Sequence, residues 1–443
     1  MKYLVTMFVE GVYWILCLMR LLFLSSEIGV KIHSFLLYRF TTGILRINIE
    51  EAKTSVTIMQ AARNGNPAAV AWQHKMYCLT PSTRRRMLKN VFVWAGIIGR
   101  RRRRKWTKKG FVIPQLVFIS PTYRCNLNCH GCYAASPRPG DLPFAVLARV
   151  VGELQELGVF SVLLLGGEPF VRKDLWALFE KYPETIFTVY TNGTLLGEEE
   201  IARIARLGNI RLLISMEGFR ENTDSRRGDG IFDTVVRCLE MCQRANIIYG
   251  VSVTVTRENF QEVVSNEFIG WLVQRGAFHV NYIPFMPMGK DGRYSTLTTG
   301  QVRGLEEFAR SVIESYPIYP SVGRSGSDLV TNCDAARRLI HITAHGDVEP
   351  CMFVPWAVDN ICSKTLMEVM ESEFFQVIRG FNQTGETRLN PCKWQSSRFL
   401  ELALRESGAH PTREEKGGLP WQSNPLAGKT AEERLPQQRL TRQ

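Results

Sequence analysis

From Leu116 onward, short apolar runs ending in turn residues alternate with amphipathic helical stretches. "LVFIS", "FSVLLLGGEP", "IFTVYTNG", "IRLLISMEG", "YGVSVTVT" and "FHVNYIPFMP" read as strands. Helices are expected over 144–158, 172–182, 198–207, 231–245, 260–275 and near 300–315. The first of these ends at Gly158, a helix stop. Repeated strand–helix–strand units can close only as a parallel sheet with its helices outside. Six of them predict an α/β fold, a partial (β/α)6 TIM-like barrel. Chemistry in such a sheet belongs at the C-terminal strand ends. The unusual residues fall there: a cysteine loop after the first strand, Gly-Gly-Glu-Pro after the second, Thr-Asn-Gly after the third and Ser-Met-Glu-Gly after the fourth.

The cysteine loop reads Cys125-x-x-x-Cys129-x-x-Cys132, with His130 inside it. A zinc knuckle, a thiol redox site, a disulfide knot or an iron–sulfur cluster could explain it. The chain has eleven cysteines, an odd number at irregular spacing, which does not suit a secreted disulfide scaffold. Structural zinc takes four ligands, and no nearby pair completes a tetrahedron here. Thioredoxin-like chemistry uses one Cys-x-x-Cys pair and leaves Cys125 without a role. Three thiolates on one loop can hold three irons of a cubane.

With Gly166-Gly167-Glu168-Pro169 in register, "CNLNCHGCYA" resembles the signature of the radical S-adenosylmethionine (SAM) superfamily over about 116–288. The resemblance implies that Cys125, Cys129 and Cys132 ligate a 4Fe-4S cluster whose fourth iron is chelated by SAM. It also implies reductive cleavage of SAM to a 5′-deoxyadenosyl radical that attacks an unactivated C–H bond, with electrons from a flavodoxin- or ferredoxin-type donor. Gly166 and Gly167 would let backbone approach the methionine moiety, and Glu168 would accept a hydrogen bond from the SAM amino group. Ser215 and Glu217 look like ribose and methionine contacts, with Asn192 a further candidate. Arg226 or Arg227 in "DSRRGDG" would match the SAM carboxylate fork. The family usually places an aromatic residue just before the third cysteine. Gly131 stands there instead, and Tyr133 follows Cys132, so Tyr133 is placed against the adenine or in core packing. No Asp-x-His-x-x-Gly segment points to cobalamin.

A second cysteine group, "NCDAARRLIHITAHGDVEPC", places Cys333 and Cys351 around Gly346. It resembles the opening of a SPASM/twitch auxiliary-cluster domain. That likeness implies an auxiliary iron–sulfur cluster on Cys333, Cys351 and Cys392, with Cys362 a candidate fourth ligand. Cys17, Cys78, Cys238 and Cys242 read as buried or incidental, the last two one helical turn apart.

The expected organisation is an apolar, basic helical extension over 1–110, a radical SAM core over 111–318, a small cysteine-containing domain over 319–407 and a disordered tail over 408–443. The net charge is +13, much of it in Arg84–Arg86, Lys89, Arg100–Lys105, Lys108 and Lys109. Such runs suit an anionic membrane surface, or simply cover the catalytic domain. Nucleic acid is disfavoured, because no helix-turn-helix, zinc-finger or RNA-binding aromatic signature lies nearby. Glu10 and Arg20 interrupt the first apolar stretch, which makes a spanning helix costly. The reading is a cytoplasmic enzyme, peripheral on the inner face of the membrane. Its expected substrate is a lipid or other hydrophobic molecule, with a peptide or protein side chain as the alternative. A non-catalytic metal- or nucleic-acid-binding protein is the remote one.

Overall fold

The structure is a computed structural model. It describes residues 66–67, 75–76, 79–134, 140–286, 294–323, 334–382 and 407–412. Helix α1 (Pro81–Leu88), a π-helical segment (Lys89–Ile98) and α2 (Gly99–Thr107) come first. Then follow β1 (Leu116–Thr122), α3 (Phe144–Leu157), β2 (Ser161–Gly166), α4 (Leu175–Lys181), β3 (Ile186–Thr191), α5 (Glu198–Leu207) and β4 (Ile210–Ser215). Next are α6 (Arg220–Arg227), α7 (Ile231–Arg244), β5 (Tyr249–Val255), α8 (Phe260–Val263), α9 (Asn266–Gln274), β6 (His279–Pro284), α10 (Thr299–Ser315) and β7 (Tyr319–Val322). The chain continues through β8 (Leu339–Ile342), β9 (Val348–Glu349), β10 (Trp356–Ala357), α11 (Leu366–Met370), α12 (Glu373–Asn382) and β11 (His410–Pro411).

One nine-stranded sheet runs in the order β7-β6-β5-β4-β3-β2-β1-β8-β9. Every neighbouring pair in it is parallel except β8–β9. This is the expected partial-barrel architecture, with two extensions. A seventh strand, β7, pairs with β6, so the barrel sheet runs past the 318/319 boundary drawn from sequence. On the other edge β8 pairs in parallel with β1, so the C-terminal unit continues the barrel sheet.

Alternation along each strand sorts the two faces. Val117, Ile119, Val162, Leu164, Phe187, Val189, Leu212, Ile214, Val251, Val253 and Val280 are fully buried in the main core beneath the outer helices. Each such side chain contributes roughly 1.5–3 kcal/mol of burial. The opposite faces of β3 to β7 turn into the lumen, and they are largely polar.

The described part of the N-terminal extension closes the barrel floor. Val93, Leu88 and Met87 pack against Ile186 and Ile248, which lie at the N-terminal ends of β3 and β5. Part of the basic run is structural. Arg86 donates to the Leu207 carbonyl at 2.6 Å and Arg102 to Gln155 at 2.6 Å, and Arg103 donates to Gly158. These carbonyls lie at the C-terminal ends of α5 and α3, where cations are favoured. Arg101, Arg104, Lys105, Lys108 and Lys109 remain exposed. No helix among the described residues is long and apolar enough to cross a membrane. Residues 1–65, which hold the two leading apolar stretches and Cys17, lie outside the described residues, as does Cys78.

The start of the C-terminal segment is paired. His410–Pro411 pairs with Trp356–Ala357, and Thr412 donates to the buried Glu349 carboxylate. An edge strand and a buried carboxyl group both gain partners this way, which outweighs the polar composition of the segment. Residues 413–443 lie outside the described residues.

Candidate active site

The cysteine loop leaves β1 through a register shift between Ile119 and Thr122. Three neighbouring turns clamp it. The amides of Gly167 and Glu168 donate to the carbonyls of Thr122 and Arg124, each at 2.9 Å. Asn192 Nδ2 donates to Asn126 Oδ1 at 3.0 Å, and Asn126 Nδ2 to Thr194 Oγ1 at 2.7 Å. The His130 amide donates to the Arg226 carbonyl at 2.9 Å. Gly-Gly-Glu-Pro, Thr-Asn-Gly and α6 thereby meet the cysteine loop at the C-terminal mouth of the sheet, as the strand-end reading requires.

The two glycines have a reason the sequence did not show. A Cβ on Gly167 would sit 2.1 Å from the Arg124 carbonyl oxygen, and one on Gly166 2.5 Å from that of Thr122. Gly166 also has φ +106°, which side chains resist. The protein's own loop already fills the space a side chain would need. Tyr133 belongs to the same contact, its hydroxyl accepting from the Gly166 amide at 3.1 Å. Gly131, in place of the usual aromatic residue, has φ +62° and packs under the Phe285 ring. That ring would lie 3.1 Å from an added Cβ.

Glu168 is 1% exposed. Its Oε1 accepts from the Phe170 amide at 3.1 Å and from Thr191 Oγ1 at 2.8 Å, and its Oε2 from the Asn192 amide at 2.7 Å. Burial nevertheless pushes its carboxyl up to about 7, against those donors. Thr191 was missed from sequence, because only the fold brings β3 to the turn after β2.

Glu217 is buried and its Oε1 takes Arg226 Nη1 at 2.5 Å, Arg227 Nη2 at 2.5 Å and Arg227 Nε at 2.9 Å. Its Oε2 takes the Thr254 amide at 2.9 Å. Glu217 is thus the anchor of two guanidinium groups, and Arg226 is spent on it rather than presented as an open fork. Arg227 reaches further, with Nη1 4.0 Å from Cys129 Sγ. Asn192 likewise spends its side chain on Asn126 and, through Oδ1, on Thr194. Ser215 ends β4, paired with Ser252, and its side chain keeps part of its surface on the lumen face.

Cys125, Cys129 and Cys132 are free thiols with exposed or half-buried side chains. Burial raises the Cys125 and Cys129 thiols, and Arg227 pulls Cys129 back down. The Leu127 amide donates to Cys125 Sγ at 3.4 Å. Donors aimed at sulfur and a soft all-thiolate set fit an iron–sulfur cluster. Among the described residues no three His, Cys, Asp or Glu side chains converge on one point.

The radical SAM superfamily profile matches residues 119–266. Residues 119–266 are thus a radical SAM domain. The chain is an enzyme built on that domain, whose cofactors are a 4Fe-4S cluster and SAM. A second profile, the SPASM iron–sulfur cluster-binding domain, matches residues 333–396 and brings auxiliary cluster chemistry. The AdoMet-dependent heme synthase of Methanosarcina barkeri is 24% identical over 298 residues, 60% of this chain and 85% of that protein. The mycofactocin maturase MftC of Mycolicibacterium smegmatis is 33% identical over 176 residues, 38% of this chain and 44% of that protein. This chain therefore spans less than half of that maturase. The crystal structure of Streptococcus suis SuiB bound to S-adenosylmethionine shares the fold, with TM-score 0.56 at 18% identity, covering 66% of this chain and 74% of that one.

In the SPASM segment β8 and β9 form a hairpin turned at Gly346, with φ +89°. A Cβ there would meet Asn360 Oδ1 at 2.6 Å and Cys362 Sγ at 2.7 Å. The tip of the hairpin and Cys362 are therefore neighbours, and Cys351 follows two residues after β9. Cys333 and Cys392 lie outside the described residues. Cys238 and Cys242 are fully buried in the core on α7, as read from sequence.

Proposed function

We propose that this enzyme makes a 5′-deoxyadenosyl radical from SAM at the mouth of its barrel and uses it to modify a peptide side chain. The observation that carries the reading is the meeting of Cys125, Cys129 and Cys132 with Gly166-Gly167-Glu168 and Ser215 at one end of the sheet. The bound cluster would supply the electron that cleaves the sulfonium. The chain's own residues do the rest. Glu168 would take the SAM ammonium with the lone-pair capacity its three donors leave. Arg227 would hold a positive charge against Cys129, and Ser215 would offer its hydroxyl to the ribose. Cys351, with Cys333 and Cys392, would hold the auxiliary cluster, and Cys362 would stand beside it.

A peptide is favoured because MftC, a maturase, is similar to this chain and because SuiB, of the same fold, has been crystallised with its precursor peptide. The lipid reading loses support, since the lumen faces of β3 to β7 are largely polar and Arg86, Arg102 and Arg103 of the basic run bond to the barrel. The exposed cations of α2 leave a surface for an anionic membrane or another acidic partner. A flavodoxin- or ferredoxin-type donor is the expected electron source. A tetrapyrrole is the second reading, because the match to the heme synthase spans 85% of that protein.

Anaerobic reconstitution with iron and sulfide, then SAM and dithionite, tests the proposal. 5′-Deoxyadenosine should be released, and Cys129→Ala should abolish it. No release from a reconstituted, reduced protein would contradict it.

A further inference from the structure

The lumen holds a cation that the proposed SAM site does not use. Arg211 is the first lumen-facing residue of β4, paired with Thr188 of β3. Its recorded hydrogen bond is Nη2 to Thr188 Oγ1 at 3.0 Å, and its Nε is buried with no partner among the described residues. No carboxylate of the described residues pairs with it. A half-buried guanidinium whose Nε is cut off from solvent is costly in that state unless something anionic joins it.

The hydrogen bonds around it have a direction. Ser321 Oγ donates to Asn281 Oδ1 at 2.8 Å, so in the 2.7 Å contact with His279 Nε2 it is the acceptor. Asn281 Nδ2 donates to the Tyr190 hydroxyl oxygen at 3.1 Å. The chain of donors therefore ends on Tyr190 as an acceptor, and the phenol proton has no acceptor among the described residues. Burial pushes Tyr190 up to about 12, so it keeps that proton. Burial and the charge of Arg211 push His279 down to about 3, so it adds no second cation and no counter-charge. Tyr190 stands two residues above Thr188 on the same lumen face of β3. β5 contributes Gly250, without a side chain, beside Leu213 and His279. Below, the N-terminal helix seals the floor through Ile186 and Ile248. Above, Ser215 lies four residues up β4, about 13 Å along the strand.

We propose that this floor is a carboxylate-binding subsite in which Arg211 and the Tyr190 hydroxyl hold an anionic group of the substrate beneath the SAM site. Guanidinium and phenol donors that meet on one oxygen pair are the chemistry that recognises a carboxylate. The proposal rests on the lumen being the substrate chamber of a radical SAM enzyme, and it narrows the substrate to an organic acid. A peptide C-terminus or acidic side chain and a porphyrin propionate share that chemistry.

Saturation-transfer NMR on the full-length, reconstituted, oxidised enzyme saturated with SAM tests it, with propionate and propionamide as probes. Propionate should receive saturation from the protein, and propionamide much less. Arg211→Gln should weaken propionate binding about tenfold, the size of one charge-assisted interaction. Tyr190→Phe should weaken it by a smaller factor, and it keeps the ring should Arg211→Gln fail to fold. Competition then separates the sources: coproporphyrin III or a peptide with a free C-terminus should displace propionate, and the tetramethyl ester or the C-terminal amide should not. Absence of a propionate signal, equal signals from propionamide, or undiminished binding in both variants would overturn the subsite. The readout does not depend on SAM cleavage. Loss of 5′-deoxyadenosine formation with intact propionate binding would sink the functional reading and spare the subsite.

Discussion

At the scale of single residues, Glu168 is under opposed demands. Burial favours its neutral acid, whereas a SAM ammonium favours the carboxylate. Its folded pKa is raised, so its contribution to stability is full below the unfolded value near 4.5 and is lost as pH rises through about 7. SAM binding should run the other way. Affinity measured by equilibrium dialysis should fall about tenfold from pH 8 to pH 6 as the carboxyl takes a proton. Glu168→Gln should flatten that profile and bind weakly throughout. Gly167 makes a second prediction. Gly167→Ala forces a Cβ onto the Arg124 carbonyl, so the turn and the cysteine loop must separate. The expected loss is about 1–3 kcal/mol in a denaturant titration, with reduced iron retention on reconstitution. The residue types at the site were legible from the chain alone, but their partners were not. Asn192, Glu217 and Arg226 were read as cofactor contacts, and the structure spends their side chains on Asn126, on two arginines and on Glu217. Those partners lie on other elements, and nothing local in the sequence announces them.

At the scale of elements, strands with strict alternation or long apolar runs were readable because one face must be buried. β7 and β8 are four residues each and β9 to β11 two, too short for any period to show. Tertiary pairing fixes them: β7 joins the barrel sheet beside β6, and β11 pairs with β10. The basic helix shows the same limit, since a run of arginines looks alike whether it meets lipid, solvent or helix ends. Arg86→Ala and Arg102→Ala should each cost about 0.3–2 kcal/mol by urea denaturation, because each removes a cation from a helix C-terminus. Lys105→Ala, exposed on the same helix, should leave the midpoint unchanged.

At the scale of the whole molecule, the sheet separates two jobs. Its C-terminal ends gather the cysteine loop, the glycine turn and the α6 arginines, and its N-terminal ends are sealed by α1 and the π-helical segment. The SPASM hairpin joins the β1 edge, and His341 of β8 bonds to Ser120 of β1 at 2.8 Å and to Glu349 of β9 at 2.6 Å, all three buried. The auxiliary-cluster segment is thereby tied to the strand that launches the cysteine loop. The central claim is that this loop holds a cluster with one corner open to SAM. Electron paramagnetic resonance of the anaerobically reconstituted, reduced enzyme tests it most directly, with and without SAM. The account predicts a reduced 4Fe-4S signal that SAM alters, and a Cys125, Cys129 and Cys132→Ala triple variant in which no remaining signal responds to SAM. A signal indifferent to SAM in the parent enzyme, or one that still responds in the triple variant, would contradict it.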